Sequence, residues 1–223
     1  MTSSPAAPYD HPHGPGHGQT PASDHPPTSV EHWDERYSGE PTWSGDPNGA
    51  LVAEVAGLAP GRTLDIGCGE GADAVWLAQQ GWEVTALDIS PNAVALTQAA
   101  AERVGVSVTG VAAGFVSANL PAAGFDLVSA MYPVLERTPD RAVERKLASL
   151  VAPGGTLLFV HHEVDPAHVH EGFDPEQFLD PATVRASLGD EWEVVVDEAR
   201  PRHVAGGAGA GHTVDLVVRA RRR

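Results

Sequence analysis

The sequence predicts an α/β fold: one mostly parallel sheet of seven strands, the last antiparallel, with helices on both faces. Three observations carry this. From Arg62 onward, short apolar runs alternate with segments whose apolar residues recur every three or four positions. Three glycines, Gly67, Gly69 and Gly71, follow the first apolar run and open into the first helical pattern. Further on, two apolar runs flank "VAGGAGAG", which suits an antiparallel hairpin.

The strands are read in order at "RTLDIG", "EVTALDI", "VSVTGVA", "FDLVSAM" and "GTLLFVH". Between them, "GADAVWLAQQ", "SPNAVALTQAAAERV" and "DRAVERKLASLV" have helical periodicity. Ser90 followed by Pro91 marks a helix start, because the hydroxyl can cap a free amide and proline needs no donor in the first turn. "APGG", Ala152 to Gly155, ends one helix and turns the chain into the fifth strand. After Val160 comes a polar stretch, "HHEVDPAHVHEGFDPEQF", then a short helix "PATVRASLG" and two strands, "EWEVVVDEA" and "HTVDLVVRA". The glycine-rich loop between those two reads as a flexible connection and not as a second phosphate cradle, since no helix follows it.

Residues 1–30 are rich in Pro, Gly, Ser and His without an apolar period, and are expected to be a disordered tail. Residues 31–223 suffice for one domain with a single core. Nothing resembles a membrane span or an export signal, so a cytoplasmic protein is expected. The lone cysteine, Cys68, agrees with a reducing compartment. A formal charge of −16 would repel a phosphate backbone, which argues against nucleic acid as a partner, and the basic cluster "RARRR" is terminal. The tail histidines His11, His13, His17 and His25 read as a flexible tract.

Gly67, Gly69 and Ala72 satisfy the dinucleotide pattern G-x-G-x-x-G/A, and Asp88 closes the next strand, where a ribose ligand belongs. Charge separates the possible cofactors. Asp65 precedes the loop, Glu70 lies inside it, and no Lys or Arg follows until Arg103. A pyrophosphate would meet two carboxylates without a cation, whereas a ligand bearing an ammonium and a sulfonium would be attracted. The residues favour S-adenosylmethionine over NAD.

At this point the chain resembles the class I S-adenosylmethionine-dependent methyltransferases, which share a Rossmann-like sheet. "LDIGCGEG" is similar to their first motif, "VTALDIS" to their second, "FDLVSAM" to the fourth-strand motif and "LVAPGGTLLFV" to the run into the fifth strand. The resemblance implies that Asp88 accepts both ribose hydroxyls and that the backbone around Gly67, Cys68 and Gly69 passes the methionine part. It further implies that Asp65 helps to bind the amino group and that the segment of Ala130 borders the transferred methyl. The upstream segment, residues 31–60, looks like the lid and first helix of the small-molecule branch that includes thiopurine and tellurite-type enzymes, with Trp33, Tyr37 and Trp43 covering the cofactor. Residues 161–180 would form a substrate-side insert. One departure is visible: the adenine-binding carboxylate of the family is replaced by Gly114, leaving the Phe115 amide and stacking on Ile89 to hold the base.

Methyl transfer from a sulfonium is an in-line displacement that needs alignment and exclusion of water. A general base matters only for an acceptor that must lose a proton. The candidates are His161 and His162 at the end of the fifth strand and Tyr132 at the end of the fourth. The plainer alternative is that one histidine bonds a loop carbonyl or faces the core. "HHEVDPAHVHE" offers His161, His162, Glu163, Asp165, His168, His170 and Glu171, enough donors for a metal, but the spacing matches no metal signature and no metal site is assigned. Cys68 is read as packing, because burial beside acidic groups raises a thiol pKa.

The expectation is therefore a methyltransferase that converts S-adenosylmethionine to S-adenosylhomocysteine on a small-molecule S, O, N or chalcogen acceptor, as a monomer or homodimer. The alternatives are an NAD-dependent oxidoreductase and a non-catalytic binder of S-adenosylmethionine or metal.

Overall fold

The computed structural model describes residues 28–163, 174–203, 207 and 211–223. Asp165, His168, His170 and Glu171 lie outside these residues, as does most of the expected tail. The elements are α1 (Val30–Arg36), α2 (Gly49–Val55), β1 (Arg62–Ile66), α3 (Ala72–Gln79), β2 (Glu83–Asp88), α4 (Pro91–Arg103) and β3 (Val108–Ala112). They continue with β4 (Phe125–Met131), α5 (Ala142–Leu150), β5 (Val151–His162), α6 (Pro181–Ser187), β6 (Trp192–Pro201) and β7 (Val214–Arg222).

The seven strands form one sheet in the order β3-β2-β1-β4-β5-β7-β6. All pairs from β3 to β5 are parallel, and β7 is antiparallel to both β5 and β6. The chain direction therefore reverses only in the expected last strand.

Alternation along the strands divides the core between two faces. Leu64, Val128, Leu157 and Phe159 pack on one face with Leu147 and Val184, from α5 and α6. Leu127, Leu158 and Val160 pack on the other with Leu51, Leu77 and Val94, from α2, α3 and α4. Truncating a side chain such as Phe159, which is fully buried, costs about 3–5 kcal/mol. The same period turns Asp65, between Leu64 and Ile66, away from the first face. The aspartate is 2% exposed, beneath the glycine loop.

Local chemistry explains the helix starts. Ser90 Oγ accepts the Ala93 N–H at 3.1 Å, and Pro91 opens α4. Asp180 caps α6 through the Thr183 N–H at 2.6 Å. Helix α1 is capped by Ser29, which accepts from His32 N at 3.2 Å, so regular structure begins slightly upstream of residue 31. "APGG" lies inside β5 instead of before it. Pairing with β4 slips between Phe125↔Val151 and Leu127↔Thr156, and Gly154, at φ +78°, accommodates the irregularity.

Candidate active site

Strand order reverses between β1 and β4, and at that switch point a cleft of about 910 Å³ crosses the carboxyl ends of the strands. The glycine loop forms its floor. Gly67 N and Cys68 N both donate to Leu87 O, at 2.8 and 3.1 Å, which ties the loop to the end of β2. Gly71 adopts φ +90°, and a Cβ there would lie 2.8 Å from Thr97 Cα, so only glycine lets α3 approach α4 this closely.

Asp88 is fixed in the cleft wall by two backbone donors, Gly69 N at 3.0 Å to one oxygen and Ser90 N at 2.9 Å to the other. Each oxygen retains a lone pair for a hydroxyl donor. Asp65 is different. Its Oδ1 lies 3.5 Å from Ser129 Oγ, and its buried Oδ2 has no hydrogen-bond partner. Burial, followed by the carboxylates of Asp73 and Asp88, pushes its carboxyl well above the usual range. An orphaned buried oxygen of this kind suits a cationic ligand group.

The strap above the loop is held by carboxylates. Glu70 accepts the backbone N–H of Thr42 at 2.6 Å and of Trp43 at 3.2 Å. Asp73 accepts Asn48 N and Nδ2, each at 2.7 Å. Asp34 of α1 accepts from the Ser90 hydroxyl and from Asn92 N, which docks the lid helix on the start of α4. The lid places Tyr37 over Gly69, and Trp43 Nε1 donates to the Tyr37 hydroxyl at 3.2 Å. Trp33 stacks on Tyr37 with ring centroids 5.8 Å apart. Arg36 also lines the cleft, its guanidinium 5.0 Å from the Trp43 ring centre and its buried Nε without a partner.

The opposite end is built by β4, β5 and the hairpin. His161 and His162 both line the cleft and are half-buried, and His161 Nδ1 lies 3.2 Å from the His162 carbonyl. His162 stacks on His212, with ring centroids 3.6 Å apart. Burial, then the positive fields of His161, His212 and Arg202, pull His162 down to about 3. Tyr132 donates its hydroxyl to Asp215 at 2.9 Å and receives Arg202 Nε at 3.0 Å. Burial holds that phenol above its ordinary value. A phenol so engaged does not suit the base role considered for Tyr132.

Gly67, Cys68, Gly69, Asp88, Ile89, Phe115, Tyr37 and Trp43 all line the cleft, with Asp65 beneath it. Ala130 is fully buried and is not part of the cleft lining, which its neighbour Met131 reaches. Cys68 is buried and bonded by Thr97 Oγ1 at 3.4 Å, and burial raises its thiol pKa, consistent with packing. Gly114 lines the cleft without a side chain to offer.

Residues 63–155 match the family described as a methyltransferase domain. That segment, which holds the glycine loop and Asp88, is similar to methyltransferase domains. An uncharacterised methyltransferase of Mycobacterium tuberculosis is 35% identical to this chain over 111 residues, 50% of this chain and 55% of the relative. The match thus spans about half the length of that relative. A structure solved for the conversion of a disulfide bond into a thioacetal group during echinomycin biosynthesis superposes with a TM-score of 0.70 at 25% identity, covering 86% of this chain and 91% of the other. The N-methyltransferase NodS of Bradyrhizobium japonicum, bound to S-adenosyl-L-homocysteine, gives 0.66 at 20% identity, covering 87% and 98%. Among the described residues of this chain, no helix is long and apolar enough to cross a membrane.

Sequence reasoning missed Arg36, Arg202 and Asp215, and it did not foresee that Glu70, which lines the cleft, also anchors the strap. "WDERY" next to the lid aromatics was a signal for Arg36, since a guanidinium beside two tryptophans favours stacking. Arg202 and Asp215 had no local signal, because the hairpin brings them together across its loop.

Proposed function

We propose that this protein is a methyltransferase that transfers a methyl group from S-adenosylmethionine to a small-molecule acceptor and releases S-adenosylhomocysteine. The observation that carries the reading is Asp88, a carboxylate oriented by two amides at the end of β2 with acceptor capacity toward the cleft. In this reading Asp88 takes the ribose hydroxyls, and the loop from Gly67 to Gly69 passes the methionine part. Asp65 neutralises the ammonium from beneath. Arg36 answers a need the sequence left open: the acidic residues that line the cleft, Asp46, Glu70, Asp73 and Asp88, would repel the methionine carboxylate, and the guanidinium on the lid supplies the opposite charge. The Phe115 amide and Ile89 hold the adenine in place of a carboxylate at Gly114.

The bound sulfonium supplies an already activated methyl group, so the protein's work is alignment and exclusion of water. The strap fixed by Glu70 and Asp73 closes the cleft over the glycine loop. His161, His162 and Tyr132 line the far end as positioning groups. Neutral His162 can hydrogen-bond an acceptor but is a weak proton acceptor. The acceptor therefore arrives as a competent nucleophile at ambient pH, and S, N, O and chalcogen atoms differ in how readily they meet that condition.

The test is a calorimetric titration of wild type and Asp88→Ala with S-adenosylmethionine, S-adenosylhomocysteine and NAD. Binding of the first two, weakened by about 2 kcal/mol or more in the variant, is expected. Binding of NAD alone would move the assignment to an oxidoreductase.

A further inference from the structure

We propose that the end of the cleft built by β4, β5 and the hairpin binds an uncharged aromatic ring, the body of the methyl acceptor, against a wall of protein rings. This names the substrate class for the methyl-transfer reading and rests on it.

Sheet order lays out the cleft. Along β2-β1-β4-β5-β7 the lining passes from Asp88 to the glycine loop, then to Met131 and Tyr132, to His161 and His162, and to His212 just before β7. In the methyl-transfer reading the first two positions serve the cofactor, which leaves the last three to the acceptor. Those three are built of rings. His162 stacks on His212 with centroids 3.6 Å apart and planes 16° from parallel. It also lies 5.9 Å from the Tyr132 ring at 26°, and His161 meets Tyr132 edge-on at 6.4 Å. Tyr132 holds φ +53°, a left-handed backbone that a tyrosine adopts only when its surroundings enforce it. Val134 and Leu135 extend the same stretch of lining. Ring faces, together with the Met131 thioether, attract a flat and polarisable group.

Charge is the second ground. Arg202 belongs to this wall, but its charge is answered within the protein. Its Nε donates to the Tyr132 hydroxyl at 3.0 Å and stands 3.5 Å from Asp215 Oδ1, and its Nη1 donates to the His212 carbonyl at 3.4 Å. Arg36 and Arg103, which also line the cleft, sit on α1 and α4 instead. His161 and His162 do not supply a charge either, because burial holds both imidazoles below their ordinary value. An ionic acceptor would give up hydration against neutral rings and an arginine already paired, a loss that an uncharged ring avoids. The acidic residues of the lining, Asp46, Glu70, Asp73 and Asp88, lie on the strap, in the glycine loop, on α3 and at the end of β2, toward the cofactor.

The probes are phenol and its saturated counterpart cyclohexanol, with benzoate and benzylammonium as charged arms. Each is titrated into the full chain with and without saturating S-adenosylhomocysteine. Phenol is expected to bind wild type about fivefold or more tightly than cyclohexanol, and more tightly than either ion. His162→Gln, which keeps hydrogen-bonding capacity but removes the ring, should lose most of the preference for phenol over cyclohexanol. His162→Phe, which keeps a ring without the nitrogens, should retain it. Thermal melting reads the fold of each variant, and the wild-type comparison stands without them. Equal binding of phenol and cyclohexanol to wild type, or tightest binding of benzoate or benzylammonium, overturns the proposal. So does a preference that survives in folded His162→Gln, or one lost in folded His162→Phe, which would assign it to the imidazole nitrogens. A phenol preference in a protein that binds no S-adenosylhomocysteine would sink the methyl-transfer reading and leave the ring-lined pocket standing. Binding of S-adenosylhomocysteine without that preference would do the reverse.

Discussion

Glu70 and Trp43 are joined across the mouth of the cleft: the carboxylate at the turn of the glycine loop accepts the backbone N–H of the tryptophan at 3.2 Å. The second oxygen accepts from Thr42 at 2.6 Å. The loop that would carry the cofactor therefore also holds the strap that covers it.

Replacing Glu70 by Ala should release the strap near Thr42 with little effect on the core. Affinity for S-adenosylhomocysteine should fall by roughly tenfold, as expected for two charge-assisted hydrogen bonds that order a binding segment. Limited proteolysis between residues 38 and 48 should accelerate in parallel. Unchanged affinity and proteolysis would show that the strap is held by its apolar contacts alone.

Asp65 should separate stability from binding. Its carboxyl is held above the usual range by burial first and then by Asp73 and Asp88, so the folded state binds the proton more tightly than the unfolded chain does. Native stability therefore falls as pH rises from the unfolded carboxyl value through the folded one, and at higher pH the whole penalty is present. Asp65→Asn removes it. The ligand-free Tm in neutral buffer should rise by about 2–4 °C, while affinity for S-adenosylmethionine falls. In wild type, affinity should also drop as acid protonates Asp65, a trend the asparagine variant should flatten. A variant that is less stable and binds normally would contradict this account.

Gly114 invites a gain of function. A Cβ there would meet only Ser117 Oγ, at 3.5 Å, an ordinary contact. Gly114→Asp would give the cleft a carboxylate able to accept from the adenine amino group, and binding of S-adenosylhomocysteine should tighten by about 1 kcal/mol or more. Isothermal titration reads this directly, and weaker binding would show that the adenine lies elsewhere.

Arg36 is tested with a ligand that lacks the group it would hold. Wild type should prefer S-adenosylmethionine over its decarboxylated analogue by roughly tenfold or more, and Arg36→Ala should lose most of that preference. A preference that persists in the variant would leave Arg36 as packing between Trp33 and Trp43.

The sheet was legible because its signals are local. Alternation in "RTLDI" and "FDLVSAM", the Ser90–Pro91 start and the glycine spacing each act within a few residues. Whether Ala130 or Met131 reaches the cleft was not legible, because the motif names a strand while the choice between two neighbours depends on the register of that strand in the sheet. Glu70 was legible as a charge and not as an anchor, because its partners Thr42 and Trp43 lie far back along the chain.

By itself, then, the sequence determined the class of fold, the mostly parallel direction of its strands, the glycine loop and the carboxylate at Asp88. Tertiary structure decided what those charges face. It turned Glu70 and Asp73 onto the strap, left Asp65 buried with an unpartnered oxygen, and brought Tyr132, Arg202 and Asp215 together from three strand ends. Local patterns are set by backbone preference and apolar period, which the sequence carries openly. The electrostatics of a cleft depend on which distant residues share a low-dielectric space, and only the folded chain specifies that.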